Sequence, residues 1–167
     1  MPSPKKDQEI VIQIIKNFKG VKISTPKIKK LVRAVCNRFG KPGPTDTRYE
    51  ISIAIVDDDE IRNFNRNFLN RKSVTDCISF DLSDGREDLK IFDLIVNGEM
   101  AVRQAKLRGH SSQAELALYI THGLLHNFGF DDSTKSLAGQ MHQTEDETLQ
   151  ELGYGIVYNS SIKPKEH

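Results

Sequence analysis

The chain has 167 residues, 28% of them charged, with 24 Lys and Arg against 23 Asp and Glu. That length suits one domain, or one with a short appendage, and can bury a core without disulfide or metal staples. Its two cysteines, Cys36 and Cys77, exclude a disulfide-rich scaffold and a four-cysteine zinc module, and no apolar run is long enough to span a bilayer.

In chain order, residues 1–8 are polar with two prolines and read as a flexible N-terminus. Ile10, Ile12 and Ile14, interleaved with Val11, Gln13 and Ile15, predict a strand buried on both faces. Thr25 as N-cap, Pro26 at the first helical position and Gly40 as stop bound a helix. Its apolar stripe is Ile28, Leu31, Val32, Val35, Cys36 and Phe39, which makes Cys36 a core filler. Lys41-Pro42-Gly43-Pro44 is a turn. Tyr49, Ile51, Ile53 and Ile55 then alternate with Glu50, Ser52 and Ala54 as a half-buried strand.

Asp57, Asp58, Asp59 and Glu60 open the next helix, where acids act as caps and dipole partners rather than as a metal site. Its apolar positions include Ile61, Phe64 and Phe68. Two more strands are expected over 75–82 and 90–100, joined through the Ser83-Asp84-Gly85 turn, and two helices over 113–128 and 134–152. Residues 154–167 lack periodicity and read as a tail. Strands followed by helices predict an α/β (α+β) single domain over 9–153. Its mixed sheet of about four strands packs against four to five helices.

Net charge hides an asymmetry. No Asp or Glu occurs between Ile10 and Thr45, whereas Lys16, Lys19, Lys22, Lys27, Lys29, Lys30, Arg33, Arg38 and Lys41 do. From His110 to Gly153 seven acids face the single Lys135. A basic face can attract a polyanion whatever the far side carries, because screening cuts interactions off beyond about 10 Å. A solvated helix face accounts for the same pattern. With no signal-peptide pattern at the start, a cytoplasmic location in a reducing compartment is expected.

The chemistry concentrates at the end of the helix over 113–128. His122 and His126 stand four residues apart, on one face of a helix that is apolar nearly all round, a spacing that can chelate one ion. Gly129 suits a chain reversal, which can return Asp131 or Asp132 to the pair. Two His and one Asp leave a fourth tetrahedral position open, the catalytic type of zinc site. A zincin peptidase carries Glu directly after the first His; here that residue is Gly123, so the proton carrier is missing. Gly inside a helix costs about 1 kcal/mol relative to Ala, which calls for close approach of a neighbouring backbone or a substrate.

The run His122-Gly123-Leu124-Leu125-His126-Asn127-Phe128-Gly129-Phe130-Asp131 resembles the signature of the YbeY family of metal-dependent endoribonucleases. Asn65, Phe68 and Thr75-Asp76-Cys77-Ile78-Ser79-Phe80 resemble a second segment of that family, and Gly98-Glu99-Met100 resembles a third, a strand. The three lie in the family's order within residues 51–153. The resemblance implies a single-strand-specific endoribonuclease in rRNA maturation and ribosome quality control, with the small ribosomal subunit as partner. It also implies one divalent ion, zinc foremost, on His122, His126 and Asp132, the last where the family carries a third histidine. The family's arginine falls on Leu69, which leaves Arg71 as the nearest phosphate contact, beside Lys72. Thr75, Asp76 and Ser79 would line the cleft, and the basic face from Lys16 to Lys41 would hold RNA backbone. A metallopeptidase-like hydrolase and a non-catalytic ribosome-associated protein with a weakened metal site are the rival readings.

Overall fold

The computed structural model describes residues 9–40 and 47–155. The expected flexible N-terminus, the Lys41-Pro42-Gly43-Pro44 turn and the tail from residue 156 onward lie outside these residues. Four strands, β1 (Ile10–Lys16), β2 (Arg48–Val56), β3 (Cys77–Asp81) and β4 (Leu89–Asn97), form one sheet in the order β1-β2-β4-β3. β1, β2 and β4 run parallel, and β3 pairs antiparallel with β4 as a hairpin. Five helices complete the α/β domain: α1 (Thr25–Phe39), α2 (Asp58–Phe68), α3 (Gly98–Arg108), α4 (Ser112–Asn127) and α5 (Lys135–Glu151). No helix among the described residues is long and apolar enough to cross a membrane.

α4 is the centre. Residues 114–121 and 123–125 are all buried, against β3 and β4 on one side and α1, α3 and α5 around the rest. α1 presents its expected stripe, with Ile28, Leu31, Val32, Val35 and Cys36 buried; burial pushes the Cys36 thiol up to about 12. Its N-cap is Ser24 rather than Thr25: the Ser24 hydroxyl accepts the Lys27 N–H at 3.3 Å, which moves Pro26 one position into the first turn. α2 is capped by Asp57 as the acidic run implied. Asp58 instead reaches across to α3, accepting from Arg103 at 2.9 Å, and this pairing holds its carboxyl below the usual range.

Several expectations change. β1, at the sheet edge, is covered on one face: Ile12 is buried there, while Val11 and Ile15 on the other face remain 44% and 45% exposed. The strand expected over 90–100 stops at Asn97, whose side chain caps α3 by accepting the Met100 N–H at 2.9 Å. Gly98-Glu99-Met100 is therefore the first turn of a helix that the pattern did not reveal. The buried stripe of α3 is Gly98, Ala101 and Ala105, all small, while Leu107 is 71% exposed, so no large apolar period marks it. Phe68 ends α2 in solvent, stacked on Phe64 at 5.6 Å. Beyond α5, Tyr154 packs on the core with the Lys27 ammonium over its ring, so the expected tail starts docked.

The mid-helix Gly123 has a packing reason in the sheet. A Cβ there would lie 2.7 Å from Cys77 Sγ and 3.0 Å from Leu94 Cδ2, so α4 sits against β3 and β4 as closely as only glycine allows. Gly123→Ala should lose about 1 kcal/mol net, over-packing of about 1–3 kcal/mol less the roughly 1 kcal/mol gained in helix propensity. Urea denaturation of the single and double variants checks this. In a Cys77→Ala background the loss should vanish or reverse; an equal loss in both backgrounds would mean the close contact is not the cause.

Candidate metal centre

α4 ends in a Schellman motif. Phe128 is the C-cap, Gly129 takes φ +95°, its N–H donates to the His126 carbonyl at 3.0 Å, and the Phe130 N–H donates to the Leu125 carbonyl at 2.9 Å. The turn performs the chain reversal expected of Gly129 and does two further things. It brings the Phe130 carbonyl back to His126, whose Nδ1 donates to it at 3.1 Å. It also delivers the next two acids with different duties. Asp131 closes its own turn by accepting from the Ser133 N–H and hydroxyl, which lower its pKa, whereas Asp132 returns to the histidines.

His122 is oriented from α5. Its Nδ1 meets Glu145 Oε2 at 2.9 Å, and the other carboxylate oxygen receives His142 Nδ1 at 2.8 Å. Glu145 is only 1% exposed. Burial alone would lower the His122 pKa, but the hydrogen bond and charge of Glu145, with the charges of Asp76 and Asp132, carry it above the ordinary value.

Both Nδ1 atoms are therefore donors, since a backbone carbonyl and a carboxylate only accept. In neutral rings both Nε2 atoms are then lone pairs, and they face each other at 3.1 Å. Two acceptors at that separation need something positive between or beside them. Asp132 Oδ2 completes the set at 3.5 Å from His126 Nε2 and 3.8 Å from His122 Nε2. Metal–ligand bonds of about 2.0–2.2 Å in tetrahedral geometry place ligand atoms about 3.3–3.6 Å apart. The three separations, 3.1, 3.5 and 3.8 Å, bracket that spacing, so small side-chain shifts would let His122, His126 and Asp132 hold a metal ion.

A cleft of about 330 Å³ runs from His122 past Thr75, Asp76, Tyr119, Arg108, Glu115, Gln104, His142 and Glu145. The loop between α2 and β3 forms one wall, fixed by two buried amides. Asn65 donates to the Ser73 carbonyl at 2.7 Å and to Thr75 Oγ1 at 3.3 Å, and Asn97 donates to the Thr75 carbonyl at 3.2 Å. Thr75 and Asp76 are thus on the cleft wall. Ser79, two residues beyond Cys77 on the same face of β3, is not among the lining residues, and neither are the exposed Arg71 and Lys72. Along α1 the basic stretch is partly paired: Arg38 meets Glu147 and Glu151 of α5, and Lys27 meets Gln113.

Sequence reading missed Glu145, His142, Arg108 and Glu115. Glu145 and His142 stand at i, i+3 on α5, a helical pair whose use depends on a partner 23 residues away for Glu145, invisible to local periodicity. Arg108 and Glu115 flank the Gly109 turn between two helices, one of them unforeseen.

Comparison with known proteins points one way. A family model described as Endoribonuclease YbeY matches residues 13–153. The chain is 33% identical over 135 residues to the protein named Endoribonuclease YbeY of Macrococcus caseolyticus, covering 77% of this chain and 85% of that one. With the protein of the same name from Alkaliphilus metalliredigens it shares 34% over 142 residues, covering 81% and 90%. Among solved structures, TM1509 from Thermotoga maritima, determined in solution, superposes with a TM-score of 0.55 at 19% identity, covering 94% of this chain and all of that one. This last likeness bears on the fold alone.

Metal titration tests the centre. One divalent ion per chain should bind, His126→Ala should remove tight binding, and Glu145→Gln should weaken it about 10- to 100-fold. A protonated imidazole cannot bind an ion, and the His122 pKa is raised above 6.5. Affinity should therefore begin to fall above pH 6.5 as the solution is acidified, and at lower pH in Glu145→Gln. Calorimetric titrations between about pH 5 and 8 measure this; a wild-type fall confined below the ordinary histidine value would contradict it.

Proposed function

This chain belongs to the endoribonuclease YbeY family, and from that premise we propose that it is a metal-dependent endoribonuclease. Its substrate is single-stranded RNA in rRNA maturation and ribosome quality control, and it works in the cytoplasm with the small ribosomal subunit. Residues 9–153 carry the activity. The observation that supports this most is the converging triangle of His122 Nε2, His126 Nε2 and Asp132 Oδ2.

His122, His126 and Asp132 hold one divalent ion, and two imidazoles with one carboxylate suit zinc. Such an ion, when bound, polarises a phosphoryl oxygen and lowers the pKa of a water molecule. The protein's own part is orientation and proton control. Glu145 and the Phe130 carbonyl keep protons on both Nδ1 atoms, so both Nε2 atoms stay available. Thr75 and Asp76 shape the wall along which the sugar–phosphate chain lies, and Asp76 is the carboxylate of that wall that can take up a proton. Arg71, Lys72 and Ser79 contact RNA flanking the cleft, Arg71 forking onto a phosphate. The unpaired part of the α1 basic face adds a salt-sensitive attraction for the backbone. The peptidase alternative lacks its general base, because position 123 is packed glycine.

Cleavage of a fluorescent single-stranded RNA by metal-loaded protein should be stopped by chelation and restored by zinc. His122→Ala should lower the rate at least about 100-fold, the scale of removing one strong electrostatic stabiliser. A duplex of the same sequence should be cut far more slowly. Undiminished cleavage by His122→Ala would assign the activity elsewhere.

A further inference from the structure

The buried Glu115 is not explained by the metal centre. It stands in the first turn of α4, is 1% exposed, and burying a carboxylate is costly unless it is fully partnered. Three groups converge on it. His110 Nε2 lies 2.6 Å and Arg108 Nη1 3.6 Å from Glu115 Oε1. Tyr119 also faces it, and burial together with the Glu115 carboxylate raises the phenol well above its ordinary pKa. Glu115 thus bonds closely to His110 and stands at ion-pair distance, 3.6 Å, from Arg108 at the end of α3, just before the left-handed Gly109.

This arginine is also unusually placed. Arg108 lines the cleft shared with His122, Asp76 and Tyr119, and it is the one Lys or Arg among the described residues that do. The other ionisable lining groups, apart from the histidines and the tyrosine, are the carboxylates Asp76, Glu115 and Glu145. A phosphodiester entering this cleft meets the repulsion of these three carboxylates unless a cation stands inside it. The side chain of Arg108 is 31% exposed, so part of it reaches solvent while Nη1 faces the Glu115 carboxylate at ion-pair distance. A guanidinium offers five N–H donors in a rigid fork, enough to serve Glu115 and a phosphate together.

Resting on the endoribonuclease reading above, we propose that Arg108, paired with Glu115, is the phosphate-binding residue inside the cleft, positioning the RNA phosphate next to the His122–His126–Asp132 centre. It supplies there what Leu69 cannot, while Arg71 remains outside the cleft.

The test uses the metal-loaded full chain, a short single-stranded RNA, and two readouts, equilibrium binding by fluorescence anisotropy and steady-state cleavage. Arg108→Ala and Arg108→Gln should weaken RNA binding and raise KM about 10- to 100-fold, the scale of one charge-assisted hydrogen bond, with metal content unchanged. The slope of log affinity against log salt should fall by about 0.7, one phosphate contact on a single strand. Arg108→Lys keeps a charge beside Glu115 and should recover binding to within about 10-fold of wild type. If Arg108→Ala fails to fold, Gln and Lys carry the test. A purely structural Arg108 would give variants with lowered melting temperature but wild-type KM and salt slope, which overturns the proposal. So would loss of binding in Arg71→Ala with none in the Arg108 variants. Wild-type protein that binds RNA through Arg108 yet does not cleave it would sink the nuclease reading and keep this one; wild-type protein that binds no RNA would sink both.

Discussion

A helix enclosed over most of its surface has few places to hide a polar atom, and α4 is enclosed everywhere but along the cleft. Its backbone is satisfied by its own ladder, but Glu115, Thr121, His122 and His126 each bring polar atoms into surroundings with little water. Thr121 returns its hydroxyl to the Ala117 carbonyl one turn back. The other three require partners from outside, and those partners define the site. His110 and Arg108 come from the α3–α4 junction, Glu145 from α5, and the Phe130 carbonyl from the reversal at Gly129. Removing any one leaves a buried group unpaired, a loss of about 1–3 kcal/mol or more for a charge. The architecture of the cleft is thus the solution to a satisfaction problem posed by one buried helix.

That helix also sets the electrostatic axis. Glu115 sits in its first turn, where the peptide dipoles favour negative charge, and the two histidines end it, where they favour positive charge. The dipole therefore supports both a carboxylate at one end and a cation centre at the other. Gly123 lets this axis lie against β3 and β4, close enough for Cys77 and Leu94 to occupy the space of a missing Cβ. A larger residue would push the helix from the sheet and carry His122 and His126 with it.

Most of this was legible where one element carries its own signal. α1 announced itself by period and caps, helices were expected over most of α4 and α5, and the His122/His126 spacing with Gly129 and the two acids after it pointed to the group of side chains that the fold brings together. What escaped depended on neighbours. β1 reads as doubly buried because its residues are nearly all apolar, yet whether a second face is covered is a property of the whole fold. α3 buries glycine and alanine, whose small size lets helices and sheet approach closely but leaves no hydrophobic period. Glu145 counted as one acid among seven in an acidic third, until the fold put it under His122. Arg38 shows the same limit for charge: the basic and acidic thirds partly meet in space, so part of the cancellation in net charge is a real contact between α1 and α5.

The carboxylate at position 132 has a consequence for the whole cleft. A divalent ion held by two neutral imidazoles and one Asp keeps one positive charge, and Glu145 behind His122 offsets it. The centre is then close to neutral, with Asp76 and Glu115 still negative nearby. A third histidine in place of Asp132 would leave one more positive charge to meet a phosphate. Attraction of a polyanion must here come from elsewhere in the cleft, and the cation available among its described lining residues is Arg108, itself paired with a carboxylate. A charged ligand at position 132 and an uncharged Leu69 both leave less positive charge to meet a phosphate. A guanidinium anchored across the cleft from α3 restores it, on a rigid helix end rather than a loop.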